Sequence, residues 1–384
     1  MPKIGLNMIV KNEAHVIRRC LDSLRMESWI DYCCIVDTGS TDGTQQIISD
    51  YLNEMGIDGE VLEYPFTDFA DCRNYALANI EYKVDFVFWI DADEQLQFSK
   101  NFDFAKFKRS IANLDFVYFT CLNNGFQFVN NHLFSTQLNW EWHGLVHEYL
   151  RVRDVRNSSW IKFDTIKDCS IIYNEDGASW KDKEGKAKRH IELLLEQHRL
   201  EPQNPRWSFY LGQTYRAINN PESIRESIKW YEYRVDSYES GASAEAYVAK
   251  LMSLCLRQQL GETILPSQFR ECEKYDKRRI EHVIHANHVY WKQQNYQAAY
   301  KYSSEAVKSF MKPPIGHSDL MMDLSIYTFS CAHVHAINCF YTKHRHEGLA
   351  ILEKLIANIK SGASPALVSN DELQRLKKAL KDLS

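Results

Sequence analysis

The sequence predicts an α/β domain with a mostly parallel, Rossmann-like sheet, followed by an all-α helical-repeat domain. Over residues 1–95, short apolar segments alternate with single helical patterns, which is typical of a doubly wound parallel sheet. Beyond residue 181 the pattern is helical throughout. Small and aromatic residues recur in it roughly as in tetratricopeptide repeats, first at Trp207, Leu211, Gly212, Tyr215, Ser227 and Tyr231, and again at Ala286, Asn287, Tyr290, Tyr296, Ala299 and Ala306. We therefore predict two domains, residues 1–180 and 181–384.

Composition limits the classes of function. A chain of 384 residues can bury two sizeable cores. Its net charge of -5 means that it has no overall basic character, so sequence-independent nucleic-acid binding is not indicated. Ten scattered cysteines are typical of small core residues in a reducing compartment. No apolar run approaches the length of a membrane span. We expect a soluble, cytoplasmic protein.

The elements of the first domain follow from the periodicity of apolar residues. The predicted order is strand 3–10, helix 14–25, strand 32–37, helix 43–54, strand 60–64, helix 69–80 and strand 85–91. Further strands are expected at 115–122 and 133–139.

Carboxylates follow the most apolar of these strands. The run Phe86–Ile90 stops at Asp91, Asp93 and Glu94. In an open α/β sheet, ligands bind at the carboxyl edge of the strands. Asp91 and Asp93 flank the small Ala92, so both can face one hard cation, although a solvated acidic turn would show the same pattern.

Two other loops bring polar groups to the same edge. Asp37 ends a second apolar strand, where it can accept hydrogen bonds from a base or a ribose. The turn that follows feeds a helix, and Asp42 fits a helix-capping role there. Glu13 adds a third carboxylate after the first strand.

Four segments in this order resemble the family 2 glycosyltransferases with a GT-A fold. They are residues 7–13 (NMIVKNE), 36–44 (VDTGSTDGT), 69–76 (FADCRNYA) and 91–94 (DADE). The resemblance implies a nucleotide-sugar donor, with Asp37 on the base, Glu13 near the ribose, and Arg73 and Asp91 also at the donor. It further implies that Asp91 and Asp93 hold a divalent cation, Mn²⁺ or Mg²⁺, on the diphosphate, and carboxylate oxygens suit these ions.

An aromatic segment follows at residues 140–149 (WEWHGLVHEY). A wide aromatic face beside an acid is what a sugar ring needs, so Trp140, Trp142 and His143 are candidates for contact with acceptor or sugar, unless His143 only holds the loop. The segment resembles the Trp-His-Gly-x-Val-His-Glu motif of a family 2 subgroup that includes lipopolysaccharide-core glucosyltransferases and peptide S-glycosyltransferases. That resemblance implies that Glu148 is the general base, and His147 is the competing candidate.

The sequence departs from the family at one point. Many GT-A enzymes carry a metal-binding histidine on the strand after the base, whereas this chain has Tyr173 and Asn174 there. The third metal ligand is therefore left open between His147, Asn174 and water. A basic run at 181–189 fits either a solvated helix face or a contact with pyrophosphate.

These observations favour an inverting, metal-dependent glycosyltransferase. The expected donor is a nucleotide-sugar, with UDP the commonest nucleotide in the family, and the expected acceptor is a macromolecule: protein or peptide, glycolipid or modified DNA. Helical repeats present extended surfaces, which suit such an acceptor or a homodimer contact. The alternative is a repeat-domain interaction scaffold that carries an inactive transferase domain.

Overall fold

The computed structural model describes residues 1–123, 126–153, 161–237, 243–314, 322–361 and 370–383. The chain forms two compact units: Met1–Asn123 with Val129–Tyr210, and Asn124–Phe128 with Leu211–Ser384. The predicted division between residues 180 and 181 stays a prediction. In the described part of the chain, no helix combines the length and apolarity that crossing a bilayer requires.

The first unit is built on one large sheet with helices between its strands. Its strands are β1 (Ile4–Val10), β2 (Tyr32–Asp37), β3 (Gly59–Glu63), β4 (Phe86–Trp89), β5 (Glu94–Phe98), β6 (Phe116–Asn123), β7 (Phe126–Ser135), β8 (Trp140–His143), β9 (Tyr149–Val152) and β10 (Phe163–Tyr173). Its helices are α1 (Ile17–Ser23), α2 (Thr44–Met55), α3 (Phe69–Ala78), α4 (Phe104–Ile111), α5 (Lys183–Leu200) and the start of α6 (Arg206–Ile218).

The sheet has the strand order β3-β2-β1-β4-β7-β6-β10-β5. Strands β3, β2, β1 and β4 are parallel, as are β6 and β10. Strand β7 runs antiparallel to β4, and β5 runs antiparallel to β10, while β8 and β9 form a separate hairpin. The predicted α/β class is confirmed, and β1, β2 and β4 are buried on both faces as the apolar runs indicated.

The loop after β1 is longer than the sequence indicated, because α1 begins at Ile17 and not near residue 14. Asn12 adopts a left-handed conformation (φ 57°), and its side-chain oxygen accepts a hydrogen bond from the Thr41 backbone at 2.9 Å. The Glu13 backbone donates to Thr44 Oγ1 at 2.8 Å. The β1 and β2 loops are thus tied together, and these bonds replace the first helical turn.

Helix α3 carries a charged residue on its buried face. Asp68 caps the helix by accepting from the Asp71 backbone at 2.8 Å. The buried residues of α3 are Ala70, Cys72, Arg73, Ala76 and Leu77. An arginine in this set requires partners inside the first unit, because an unpaired buried charge is costly.

The second unit consists largely of helices packed as consecutive hairpins. Its described elements are the rest of α6, α7 (Pro221–Asp236), α8 (Ser243–Gln259), α9 (Pro266–Arg270), α10 (Glu281–Lys292), α11 (Tyr296–Ala306), β11 (Met322–Asp323), α12 (Cys331–Phe340), α13 (Arg345–Lys360) and α14 (Asn370–Leu383). Strand β11 pairs with residues 126–127, which belong to this unit.

The residues that suggested helical repeats form contacts between successive helices. A side chain on Gly212 would meet the Tyr231 ring at 2.7 Å, and Ser227 Oγ donates to the Gly212 carbonyl at 2.6 Å. In the later hairpin, Asn287 Nδ2 donates to the carbonyl of Ala299, which is fully buried. The prediction of a helical-repeat domain is confirmed, and these aromatic and small residues are core.

All ten cysteines are unpaired, and all except Cys255 are buried. This agrees with the prediction that they are core residues and not a disulfide framework.

Candidate active site

Arg73 lies at the centre of the site and joins two of the predicted carboxylates. Its Nε donates to Glu148 Oε1 at 2.7 Å, and its Nη2 donates to Asp91 Oδ1 at 2.6 Å. The Arg73 side chain is 7% exposed. Burial lowers its pKa, but the charges of Asp91 and Glu148 raise it to a net value above the ordinary one, so the guanidinium stays a cation.

Two tryptophans support this cation. The Arg73 guanidinium carbon lies 4.8 Å from the ring centroids of both Trp89 and Trp142, which themselves meet edge to face. The His132 ring stacks on the Trp89 ring with 4.2 Å between their centroids, and His132 Nδ1 contacts the Trp89 carbonyl at 2.9 Å. Aromatic faces stabilise a desolvated cation, so this packing fixes the position of Arg73.

The neighbouring residue on α3 attaches the aromatic segment. Asn74 Nδ2 donates to the Trp142 carbonyl at 2.9 Å, and the Trp142 backbone donates to Asn74 Oδ1 at 2.8 Å. Trp140 and Trp142 are 7% and 4% exposed and belong to the sheet's core cluster. Both indoles are therefore largely buried, and their predicted contact with acceptor or sugar stays a prediction. Their physical role is packing, and Trp142 also holds Arg73.

The chain turns sharply before Glu148. Gly144 has φ 110°, and a side chain there would lie 2.7 Å from the Trp207 ring. His147 is also left-handed, with φ 52°. Nearby, His143 Nε2 lies 2.6 Å from Glu201 Oε1, the kind of contact expected if His143 holds the loop. Together these contacts set the direction in which the Glu148 side chain projects from the backbone.

His147 points into a different environment from Glu148. Its ring stacks on Tyr210 at 4.1 Å and meets His190 edge to face at 5.5 Å, while its carbonyl accepts from Arg206 Nη2 at 3.1 Å. Burial, followed by the nearby cations Arg206 and Lys186, holds the pKa of His147 well below its usual range. The imidazole is therefore neutral near pH 7, but its cationic surroundings disfavour a metal ion.

Asp37 is fully buried at the end of β2. Its Oδ1 accepts from the backbones of Gly39 and Ser40 at 2.8 and 2.7 Å. Burial raises its pKa, but hydrogen bonds from Ser40 and Gly39 bring the net pKa below the ordinary value, so it is a carboxylate. Its Oδ2 is buried and has no hydrogen-bond partner within the described residues. An ionised oxygen of this kind is a natural acceptor for a ligand N–H or O–H group.

Glu13, Asp91 and Asp93 lie near one another at the same edge. Burial raises the pKa of Glu13 to about 7, with contributions from the charges of Asp93 and Asp91. Burial, followed by the charge of Asp91, also raises the pKa of Asp93. The charges of Asp91 and Asp93 disfavour ionisation of Glu13, and the charge of Asp91 disfavours ionisation of Asp93. A hard cation beside Asp91 and Asp93 would relieve this repulsion. This donor set fits Mg²⁺ or Mn²⁺.

A segment just before α5 lies against these carboxylates, which the sequence did not indicate. Trp180 Nε1 donates to Asp93 Oδ2 at 3.1 Å, and the Ala178 backbone lies 3.1 Å from both carboxylate oxygens of Glu13. Gly177 is needed here, because a side chain on it would come within 2.9 Å of Asp93 Oδ2. Gly177 and Trp180 are visible in the sequence, but no sequence pattern links them to Asp93, which lies more than eighty positions earlier.

Lys186 brings a positive charge to the same region. Its Nζ lies 4.0 Å from the centroid of the Trp180 ring and donates to Ser179 Oγ at 3.1 Å. Burial lowers its pKa, while the charges of Asp93 and Asp91 act in the opposite direction. One residue of the basic run therefore faces the carboxylates and is not only part of a solvated helix face.

Asn174 supports the Asp93 turn through its amide group. Its Nδ2 donates to the Asp93 carbonyl at 2.9 Å and to Gln95 Oε1 at 3.2 Å. Glu94 has a similar supporting role: it is buried, and its Oε2 accepts from the Asp91 backbone at 3.1 Å. Both side chains shape the loop that carries Asp91 and Asp93.

The strand order and the carboxylates at the strand ends agree with the α/β fold that the sequence predicted. Residues 7–140 match the sequence model of the family described as glycosyl transferase family 2. This match spans the chain from β1 to the first residue of β8.

The similar curated proteins include SunS, a prophage-derived glycosyltransferase of Bacillus subtilis, and its counterpart in Bacillus phage SPbeta. Each is 27% identical over 263 residues, which cover 66% of this chain and 58% of the relative. The chain therefore spans less than two thirds of the length of these relatives. A tetratricopeptide repeat-containing protein of Synechococcus elongatus is 35% identical over 97 residues, 25% of this chain and 22% of that protein.

Among solved structures, S. aureus TarS in complex with UDP-GlcNAc aligns over 71% of this chain and 90% of its own, with 12% identity and a TM-score of 0.38. MamA aligns over 48% of this chain and 96% of its own, with 11% identity and a TM-score of 0.35. Likenesses of this strength carry no information about ligands.

Proposed function

We propose that the protein is an inverting, metal-dependent glycosyltransferase that moves a sugar from a nucleotide-sugar, a UDP-sugar by family frequency, to a macromolecular acceptor. The observation that carries this proposal is the Arg73 bridge between Asp91 and Glu148. Through it, Arg73 holds Asp91, a carboxylate on the proposed donor side, at a fixed distance from Glu148, the candidate base. An inverting transfer needs donor and base on opposite sides of the same anomeric carbon, so a fixed spacing between them serves catalysis.

On the donor side, Asp37 would bind the nucleotide base through the unpartnered Oδ2, and Glu13 would lie near the ribose. Asp91 and Asp93 would hold Mn²⁺ or Mg²⁺, which when bound would neutralise the leaving diphosphate. Lys186 is a further candidate for contact with the phosphates, since the charges of Asp93 and Asp91 act on the pKa of its ammonium group. Water or Asn174 Oδ1 would supply the remaining metal ligand, because Asn174 donates to the loop only through Nδ2 and His147 has cationic neighbours.

On the acceptor side, Glu148 would remove the proton of the nucleophile. Its Oε1 accepts from Arg73, and its other oxygen, Oε2, would receive the proton. His147 is the competing base, since it is neutral near pH 7. Its stacking between Tyr210 and His190 restricts the ring, so we favour Glu148.

The experiment that tests this assignment compares Glu148→Gln with His147→Ala. Glutamine keeps the size of Glu148 and a hydrogen bond to Arg73, so donor affinity should persist while kcat falls roughly a hundredfold or more. Glu141→Gln is the matched control, because Glu141 lies in the same segment but pairs with Arg151 and Arg153. Products are followed by mass spectrometry after a panel of nucleotide-sugars is offered. A mild Glu148→Gln together with an inactive His147→Ala that still binds donor would reverse the two roles.

A further inference from the structure

Within the described residues, three side chains of the second unit converge in a way that the transferase chemistry does not use. His335 and Cys339 are four residues apart on α12, and Glu347 lies on α13. The ligand atoms of the three lie within 4.8 Å of one another. His335 Nε2 is 3.0 Å from Glu347 Oε1 and 3.7 Å from Cys339 Sγ.

A glycine brings the two helices together at this point. A side chain on Gly348 would come within 2.8 Å of Cys339 Cβ and 3.1 Å of the Ala336 carbonyl. Because glycine has no Cβ, α13 can approach α12 closely, and the adjacent Glu347 then reaches His335 and Cys339. The convergence is therefore a property of the packed helices and not of one mobile side chain.

Ser303 and Asn338 orient the His335 ring. His335 Nδ1 lies 2.9 Å from Ser303 Oγ, which can donate its own proton to the Tyr300 carbonyl at 3.0 Å and accept from Asn338 Nδ2 at 2.8 Å. With this arrangement the proton of the imidazole is on Nδ1, and the lone pair of Nε2 points toward Glu347 and Cys339. A hydrogen bond that fixes the tautomer in this way is typical of metal-binding histidines.

The carboxylate is held as well. Tyr300 Oη donates to Glu347 Oε2 at 2.8 Å, which leaves Oε1 toward the histidine. His335 and Cys339 are fully buried, whereas the Glu347 side chain is 43% exposed. An ion could enter from the Glu347 side, and a water molecule could complete its coordination there.

We propose that His335, Cys339 and Glu347 form a zinc site that links α12 to α13. Zinc binds thiolate, imidazole and carboxylate at about 2.3, 2.0 and 2.0 Å, so tetrahedral ligand atoms lie roughly 3.2–3.8 Å apart, close to two of the separations found here. The mixed soft and hard donor set favours Zn²⁺ over the Mn²⁺ or Mg²⁺ expected at the aspartates. Binding would release the Cys339 thiol proton, and the thiolate and carboxylate would balance the two positive charges.

The competing arrangement places the proton on Nε2, from which it is donated to Glu347, while Ser303 donates to Nδ1. That network would satisfy the polar groups without an ion. The two arrangements differ in whether the Cys339 thiol is ionised and bound to a metal, which spectroscopy can report independently of transferase activity.

The test uses the full chain, stripped with a chelator and titrated with Co²⁺ as a spectroscopic substitute for zinc. A thiolate bound to cobalt produces a charge-transfer absorption that a carboxylate site cannot produce, so the first unit does not interfere. We expect one equivalent of this signal, its loss in Cys339→Ser and its displacement by Zn²⁺. Cys331→Ser is the matched control, because Cys331 is a buried cysteine on the same helix whose Sγ contacts the Tyr327 carbonyl.

A second variant covers the case in which Cys339→Ser does not fold. Glu347 is exposed, so Glu347→Gln should fold normally and weaken zinc binding by about tenfold or more. Zinc should also raise the melting temperature of the parent protein more than that of Glu347→Gln. The absence of a thiolate–cobalt signal in the folded parent protein, or equal zinc affinity in the parent and Glu347→Gln, would overturn the proposal.

Discussion

At the scale of single residues, the decisive feature is one buried cation with two anionic partners. Removing Arg73 would leave Asp91 and the largely buried Glu148 without their cation, which is destabilising. Arg73 therefore has a structural and a chemical role at once: it keeps Asp91 and Glu148 at a fixed distance while two indoles hold the guanidinium. A ligand that engages Asp91 would reorganise this contact.

Arg73→Lys tests the importance of the two-pronged geometry. Lysine preserves the charge, but its compact ammonium cannot reproduce two fixed N–H bonds to separate carboxylates. We expect kcat to fall at least about tenfold, since Glu148 would lose its orientation. Steady-state kinetics with varied donor and acceptor would measure this loss.

Arg18→Lys provides the comparison, because Arg18 makes a bidentate contact with Glu54 at the surface of the same unit. Its variant should behave as the parent enzyme does. Unchanged kinetics in a correctly folded Arg73→Lys would mean that the bridge only stabilises the fold.

Asp37 gives a second prediction at this scale. Its unpartnered buried oxygen should become hydrogen-bonded when donor binds, and a hydrogen bond to a charged group contributes about 1.5–3 kcal/mol. Asp37→Ala should therefore weaken donor binding tenfold or more by calorimetry, with little change in the Michaelis constant for the acceptor. Asp42→Ala is the control, since the Asp42 carboxylate accepts from the Ala14 backbone and from the backbone and hydroxyl of Thr44. Equal donor affinity in the parent and Asp37→Ala would assign Asp37 to loop structure alone.

At the scale of elements, the strands that carry the carboxylates were predictable because continuous apolar runs end at polar residues. Strand β5 and the β8–β9 hairpin were not predictable, since Glu94–Phe98 and Trp140–His143 contain polar as well as apolar residues. The helix pattern near residue 14 failed because side-chain bonds from Asn12 and Thr44 stabilise a loop instead. Sequence reasoning found Arg73 by family resemblance, but its bridge depends on a fold that joins α3, β4 and the aromatic loop.

Strand β7 provides a test of how element packing responds to pH. Burial lowers the pKa of His132 from 6.5 to about 4, although the Trp89 carbonyl partly opposes the shift. Between these values the unfolded chain binds a proton that the folded chain does not, so stability is retained above pH 6.5 and lost as pH falls toward 4. The loss can reach about 1.4 kcal/mol per pH unit for one proton.

His132→Phe should therefore show a smaller decrease of the urea unfolding midpoint between pH 7 and pH 5 than the parent protein. The comparison concerns the slope with pH, so a constant destabilisation from altered packing does not affect it. His346→Phe, at an exposed position on α13, is expected to keep the slope of the parent. Identical slopes for His132→Phe and the parent would show that His132 does not titrate differently on unfolding.

At the scale of the whole molecule, the chain combines an α/β domain that matches the family 2 glycosyltransferase model over residues 7–140 with a helical-repeat domain. The sequence could predict these two classes of domain because the period of the apolar pattern changes along the chain. Contacts such as that of Trp180 with Asp93 join distant residues and leave no local signal. The proposed zinc site shows the same limit. His335 and Cys339 share a helix period, but only the packing of α13 brings Glu347 to them.

The most direct measurement of the central claim is release of nucleoside diphosphate from a panel of nucleotide-sugars, followed by mass spectrometry with Mn²⁺ and with EDTA. We predict release from at least one donor in Mn²⁺, loss of release in EDTA, and loss in Asp93→Asn even with Mn²⁺ present. Asp85→Asn serves as the control, because Asp85 accepts from the Lys3 backbone at the opposite end of β4. Release at the full rate in EDTA, or no binding and no release with any donor in the folded parent protein, would contradict the account.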